Sequence, residues 1–428
     1  MTRLLLRMMV VWQTILFLLP AIYAQPLESG CSLVEEGTYY KVNTTTPLNY
    51  DNRILPQPTF GQMGTASLSL GYSVLYGSFG FTTITNDLTK PEYEYRIREL
   101  SADISVTDEV NFLIGKKILK WGTGYAFNPT GVVEPQRSPS DPSDRLNQND
   151  GRTLLSLTAY HERSSLTFVY LNDAQVINSA LHWGTNEYAT RANTFLSGFD
   201  VSLVGHYKQG DRLECGANFS YVIGEQLELH GECIAKMGSS FQYHRIITTD
   251  NEKQIFVSDP YIPLYDNSKQ IFYKALIGGQ YTFDNGVNLA LEYYHNAEGL
   301  SSQEWKRWMN FVKFQNAIQK RTITVPQELV EPSRLNLLWS LGTLSPRGTM
   351  QDYLFARGFF SAESWSFEMI CFMNTNDMST VIIPSVTWRV IEKCSLSVRY
   401  TAFLGRDGSE FGSLFTATAL NLGIQFQL

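Results

Sequence analysis

Apolar and polar residues alternate one by one at the C-terminal end of this chain, where Leu420, Leu422, Ile424, Phe426 and Leu428 are separated by Asn421, Gly423, Gln425 and Gln427. A period of two marks a β-strand with one apolar and one polar face. The pattern recurs upstream, in Leu396, Val398 and Tyr400 against Ser395, Ser397, Arg399 and Thr401. It recurs again in Thr380, Ile382, Val386 and Trp388 against Ser385, Thr387 and Arg389. From Ala66 onward such segments are punctuated by Gly, Asn, Asp and Ser clusters, which predicts an all-β chain. Between Pro26 and Gly64 no sustained periodicity is present, so residues 25–65 read as an N-terminal extension ahead of a β-domain over 66–428.

The spacing between strands separates a sandwich from a barrel. Counted back from the C-terminus, short turns at Ile391–Lys393, Ala362–Ser364, Asp284–Gly286 and Ile223–Glu225 alternate with longer connections. These are Gly405–Thr416, Asn374–Met378, Glu298–Gly348, Ser239–Ser268, Asp173–Asn186 and Trp121–Gly151, with His206–Asp211 brief. The longest connections all fall at one end, as in membrane barrels that pair short periplasmic turns with long extracellular loops. The expectation is a transmembrane antiparallel up-and-down β-barrel of about 16 strands. If Leu68–Thr85 breaks near Gly77 into two strands, parity requires one more and the count becomes 18. One helix is predicted inside the Glu298–Gly348 connection. There Ser301 and Glu304 form a capping box ahead of Trp305, Trp308, Met309 and Val312 on one face, and packing against its neighbours is its expected role.

The N-terminal residues change the cellular setting. Arg3 and Arg7 precede an apolar run from Met8 to Leu19, then Pro20 and the small-residue exit Ala21-Ile22-Tyr23-Ala24. This order reads as a signal peptide over 1–24. Cys31 follows Leu27-Glu28-Ser29-Gly30, a poor lipidation signal. Beyond Ala24 no run of about 18 apolar residues occurs, and the mean hydropathy of -0.16 is too low for a bundle of spanning helices. Aromatic residues make up 13% of the chain, with 23 Tyr and 8 Trp, enough to furnish the interfacial girdles of a barrel. Loss of Arg3 and Arg7 with the leader moves the formal charge from -7 to -9, which argues against a nucleic-acid partner.

Candidate chemistry concentrates in the Trp121–Gly151 connection. Gly115-Lys116-Lys117-Ile118-Leu119-Lys120 leads into Trp121-Gly122-Thr123-Gly124-Tyr125-Ala126-Phe127-Asn128-Pro129, followed by Pro135, Pro139 and Pro142. Glycine and proline at this density cannot continue a strand, and a loop of this length in a compact architecture is usually functional. A strand ending in glycine, basic residues and Trp-Gly that leads into a loop bearing Asn-Pro resembles porin-like outer-membrane barrels, with the alginate-export type the nearest named family. The resemblance extends to Arg98-Glu99-Leu100, Asp352-Tyr353-Leu354, Asn376-Asp377-Met378-Ser379 and Gly405–Phe411. Such barrels usually end in an aromatic residue, whereas this chain ends in Phe426-Gln427-Leu428. The resemblance implies a loop folded into the lumen, marked by Trp121, Gly122, Asn128 and Pro129. It makes Lys117, Arg137, Arg145 and Arg152 candidate constriction charges, with Glu99 and Asp103 facing them. The competing reading is that these charges pair among themselves and hold the loop to the wall.

No enzyme set stands out. The six histidines are scattered without metal-ligand spacing, and neither a Gly-x-Ser-x-Gly elbow nor a phosphate-cradling loop is present. His230 with Glu228 and Glu232 forms a trio on the polar face of one strand, which reads as a lumen wall and not as a metal site. Five cysteines are too few for a disulfide framework. Cys215 and Cys233 flank the Ile223–Glu225 turn, and a hairpin centred on Gly224 would set them directly opposite as a candidate disulfide in an oxidising compartment. The sequence therefore predicts a channel for small hydrophilic or polymeric solutes that uses no cofactor. Its expected partners are the outer-membrane bilayer and, through the last strand, the barrel-assembly machinery. The alternative is a closed barrel whose long loops bind a surface ligand.

Overall fold

The computed structural model describes residues 28–142, 144, 149–173, 175–177, 180–182, 184–211, 213–239, 246, 270–345 and 347–427. The expected leader over 1–24 and Arg145 lie outside the described residues. Eighteen antiparallel strands close into one barrel. The wall begins with β1 (Glu28–Val42), β2 (Phe60–Tyr72), β3 (Leu75–Asn86), β4 (Glu92–Thr107) and β5 (Val110–Lys117). It continues through β6 (Arg152–His161) and β7 (Ser164–Asn172). A small separate hairpin, β8 (Gln175–Ile177) and β9 (Ala180–His182), precedes β10 (Asn186–Leu196), β11 (Phe199–Lys208), β12 (Leu213–Ile223) and β13 (Leu227–Met237). The remaining wall strands are β14 (Ile271–Thr282), β15 (Asn288–Asn296), β16 (Asp352–Ala362), β17 (Trp365–Asn374), β18 (Thr380–Ile391), β19 (Cys394–Leu404) and β20 (Thr416–Gln427). Each strand pairs with its sequence neighbour, β7 pairs with β10, and β20 closes on β1.

Three expectations are corrected. The strand expected over Leu68–Thr85 breaks, not at Gly77 but at Ser73–Val74, where Ser73 takes φ +54°. The extension expected over 25–65 contains a full wall strand, because β1 pairs with β2 on one side and β20 on the other. Together these changes give 18 strands, the alternative count, in place of 16. The third concerns Cys215 and Cys233. Their hairpin closes on the three residues Gly224, Glu225 and Gln226, with Ile223↔Leu227 as its last pair, so Cys215 faces Ala235 and Ala217 faces Cys233. A diagonal offset of this kind separates Cα atoms by about 7–8 Å, beyond disulfide reach. Both cysteines are free and exposed.

Period-two alternation sorts the side chains as expected. Leu203, Leu229, Ile277, Leu291 and Leu422 are exposed on the outer face, while Glu187, Ser202, Asn218 and Glu232 are buried on the inner one. Trp365 and Trp388 stack with ring centroids 5.4 Å apart near the short-turn end, the position of an aromatic girdle. Connections at one end are no longer than residues 283–287, whereas the opposite end carries residues 43–59, 118–151, 173–185, 238–270, 297–351 and 405–415.

The predicted helix is α1 (Ser302–Gln319), started by the reciprocal Ser301–Glu304 capping box. A second helix, α2 (Val330–Leu341), packs beside it. Pro332 hides α2 in the sequence, yet within the first turn a proline removes no helical hydrogen bond. Trp305, Trp308, Met309, Phe311 and Val312 of α1 are buried with Leu48, Tyr50 and Ile54 of the 43–59 connection. That cluster rests on inward-facing Tyr353, Phe355, Ile370, Phe372, Val381 and Ile383 of β16–β18. The loop-end part of this sector of the lumen is thus apolar and filled.

Candidate functional site: the loop across the lumen

The chain leaves the wall where β5 and β6 part, at the pair Lys117↔Arg152. Gly151 allows this close exit, since a Cβ there would lie 2.7 Å from the Lys117 carbonyl carbon. Trp121 then buries its ring against Leu113, Val133, Leu154, Val169, Leu171 and Val204, all in one cluster that faces the lumen. Burial of this aromatic surface fixes the root of the loop.

The next residues are held by two carboxylates from the far wall. Glu232 on β13 accepts hydrogen bonds from the backbone N–H groups of Thr123 (2.5 Å), Gly124 (2.6 Å) and Thr130 (2.8 Å), and from the Thr130 hydroxyl (2.7 Å). Glu292 on β15 accepts from the backbone N–H groups of Tyr125 and Ala126, the latter at 2.8 Å. Asn218 on β12 donates to the Trp121 carbonyl at 2.9 Å and to the Thr130 hydroxyl at 2.7 Å. His230 Nε2 lies 2.9 Å from Glu292 Oε1 and orients it. Five backbone donors of a non-repetitive loop are thereby satisfied away from water, and hydrogen bonds to ionised acceptors are the strong ones.

The loop also braces itself. Asn128 donates to the Pro135 carbonyl at 3.0 Å and accepts from the Arg137 N–H at 2.9 Å. The Arg137 guanidinium donates to the Gly122 and Gly124 carbonyls and lies 3.8 Å from Glu134. Burial pushes the Glu134 carboxyl above its ordinary range, against the pull of Arg137. Phe127 stacks on Tyr294 of β15 at 4.1 Å, and Arg399 of β19 reaches the Ser140 carbonyl at 3.3 Å. The loop therefore bridges from β5–β6 to β12–β15 and onward to β19.

Beside it an open cavity of about 590 Å³ remains, lined by the loop and by β10–β15. Its wall is a chain of ion pairs. Arg152 lies 2.7 Å from Asp173 and 3.0 Å from Glu187, and Glu187 also holds Lys208 at 2.9 Å and His206 at 3.1 Å. Lys236 sits between Glu214 (3.4 Å) and Glu298 (3.5 Å), and Lys274 meets Glu298 at 2.9 Å. Burial raises the Glu298 carboxyl, but Lys274 and Lys236 outweigh it and hold it below its ordinary value.

The sequence-derived residues fall into two groups. Arg137 and Arg152 line the cavity with Asn128 and Pro129, and both are engaged in ion pairs. Lys117, Glu99 and Asp103 sit elsewhere. Lys117 pairs with Glu99 at 3.8 Å and caps the Tyr76 ring, while Asp103 accepts from Asn111 at 2.6 Å inside its own hairpin. Glu99 and Asp103 therefore do not face Arg137 and Arg152 across the channel. Glu99 is instead engaged at the loop root, where it accepts the Ile118 N–H at 2.9 Å. Sequence reasoning did not single out Glu292, Asn218, Glu187 or Lys236, since an acid or amide on a strand's polar face carries no mark of what it will hold. The Glu228, His230 and Glu232 trio is no ligand set, because Glu232 is spent on loop donors. Among the described residues no group of three such side chains has metal-binding geometry.

A second buried carboxyl sits at the apolar sector. Glu410, in the 405–415 connection, accepts from Thr349 N–H (2.5 Å), Asn374 Nδ2 (2.6 Å) and the Tyr353 hydroxyl (2.9 Å). Burial pushes it up to about 7 despite these donors.

No protein-family profile and no curated protein matches the sequence. Solved structures do. Pseudomonas aeruginosa OccK11 (OpdR) is similar over 94% of this chain and 96% of its own, at 9% identity and a TM-score of 0.50. Pseudomonas aeruginosa OprD covers 95% and 97%, at 10% identity and a TM-score of 0.49. A Rhodopseudomonas blastica porin triple mutant covers 94% and 100%, at 9% identity and a TM-score of 0.42. These three structures do not bear on the alginate-export likeness. What the comparison with OccK11 establishes is the fold: the chain is a closed 18-stranded antiparallel barrel of the outer-membrane porin type.

Proposed function

We propose that this protein is an outer-membrane channel for small hydrophilic solutes, with its passage running beside the Trp121–Gly151 loop along the ion-paired wall. One observation carries the reading: Glu232 and Glu292 fasten the loop across the lumen while a charge-lined cavity stays open next to it. Helix α1 and its apolar cluster fill the loop-end half of the β16–β18 sector, which leaves a hydrated solute the charged side as its route. Selectivity would then follow from aperture and lumen charge, with no bond chemistry. The long connections face outward from the cell, the short turns face the periplasm, and β20 carries the apolar edge read by the assembly machinery.

Conductance across planar bilayers tests this reading, with the full-length protein reconstituted and neutral, anionic and cationic solutes compared. Open-channel current is expected, and it should rise when residues 130–149 are deleted in a variant that still folds. The competing reading, a sealed barrel that binds ligands through its loops, predicts no ion-permeable openings.

A further inference from the structure

A second cavity, of about 370 Å³, lies on the β1–β4 side of the loop root. It shares no lining residue with the cavity beside β10–β15, so it stands apart from the passage proposed above. Arg98 of β4 lines it, only 4% exposed, and the guanidinium Nε and Nη1 have no hydrogen-bond partner. Among the described residues Arg98 also forms no ion pair. A buried cation without a counter-ion is unfavourable.

The neighbouring strands make a cradle for this group. The guanidinium lies over Gly80 of β3, where a Cβ would come within 2.6 Å of Nε and 2.9 Å of Cζ, so a side chain at residue 80 would displace it. Register sets Ser32, Ser67 and Gly80 in one row across β1, β2 and β3, and Gly30, Ser69 and Ser78 in the next. All four serines line the cavity with Arg98, which adds hydroxyl donors from three strands to the guanidinium of a fourth. Two acids border the same space, and each has a donor of its own. Glu99 accepts the Ile118 N–H at 2.9 Å and lies 3.8 Å from Lys117, while Asp144 accepts the Asn149 N–H at 2.6 Å.

We propose that this cavity is a resident binding site for a phosphate group, held by Arg98 with Ser32, Ser67, Ser69 and Ser78. A carboxylate is planar and offers two oxygens. Phosphate directs its oxygens in three dimensions and so accepts from a guanidinium and from hydroxyls on several strands at once. Bound there, it neutralises Arg98 and ties β1–β3 to the loop root, because Ile118 and Asn149 line the same cavity. The space is larger than one phosphate ion, so inorganic phosphate and a small phosphate monoester share the chemistry. The site does not depend on the route that solutes take through the barrel.

Titration calorimetry on the full-length protein, folded in detergent and in a phosphate-free buffer, tests this with inorganic phosphate and with glycerol phosphate as separate probes. The wild type should bind one phosphate per chain saturably, and whichever probe binds tighter identifies the source. Arg98→Gln should weaken binding by about tenfold or more, as loss of a charge-assisted hydrogen bond implies, and Arg98→Lys should restore part of it. Ser67→Val with Ser78→Val keeps the charge and should also weaken binding, so the test stands even if Arg98→Gln does not fold by heat-modifiable gel mobility. Sulfate should compete with phosphate, while acetate at the same concentration should not. No saturable binding to the wild type overturns the proposal and leaves the channel reading intact. Binding that is unchanged in folded Arg98→Gln, or that acetate abolishes as readily as sulfate does, also overturns it.

Discussion

Two sectors of the same lumen wall meet the same problem differently. On β10–β15 charged side chains stand among the inward residues and are satisfied by pairs such as Lys236–Glu214, and Glu187 with Arg152 of β6, while leaving space in front. On the loop-end half of β16–β18 the inward side chains are Tyr353, Phe355, Ile370, Phe372, Val381 and Ile383, covered by helix α1 with Phe411, while the ion pair Arg357–Glu368 lies further along the same inner face. Apolar surface of that extent facing water is unfavourable by about 25 cal/mol per Å², so it recruits a cover. A paired-charge wall needs none. The contrast is between a sector that the cover fills and one where paired charges border an open cavity, and the loop belongs to both. Phe127 contributes to the apolar cluster, while the adjoining Tyr125 and Ala126 N–H groups are held by Glu292 of the polar wall.

The sharpest way to break this division is to remove the latch. Replacing Glu232 and Glu292 together by alanine leaves five loop N–H groups without acceptors, each at a cost of about 1–3 kcal/mol if it stays buried. The loop is expected to detach, raising single-channel current and its noise. Unchanged current in the folded double variant would count against the latch. On the apolar side, Trp308→Ala empties a fully buried site in the cover, at about 3–5 kcal/mol. Hydrogen exchange in residues 302–319 should accelerate while the strands keep their protection; equal exchange in both proteins would show that the helix is not held by this cluster.

The smallest expected effect separates the sectors by pH. Glu410 has a folded value of about 7, above the ordinary carboxyl range, because burial favours its neutral form. A raised value means that the folded cover binds the proton more tightly than the open one. The stability it contributes is full below about 4.5 and is lost as the pH rises through about 7. Exchange in residues 405–413, corrected for intrinsic rates, should therefore be slower at pH 5 than at pH 8, and Glu410→Gln should flatten the difference. A profile that is already flat in the wild type would contradict the assignment.

Much of the barrel was legible because period two survives in single strands, and the connections announced themselves by length and by glycine and proline. The first strand escaped because its outward positions include Glu35 and Gly37, which interrupt the apolar row at the point where the structure gives that face a polar character. The Cys215–Cys233 register failed by two residues, since a symmetric reading of the turn could not foresee a three-residue closure. The loop's entry into the lumen was anticipated from Trp121–Pro129, but its fastening was not. Glu232 was read as wall, and Glu292 looks like any solvated acid until the fold sets it against backbone donors 166 residues away in sequence.

The central claim, that solute passes along the ion-paired side and not the apolar one, is tested most directly by current through channels carrying one added thiol on either side. A membrane-impermeant thiol reagent should block Lys274→Cys, whose side chain borders the cavity, and leave Ile383→Cys, which lies under the cover, unaffected. Block at Ile383→Cys with none at Lys274→Cys would contradict the account.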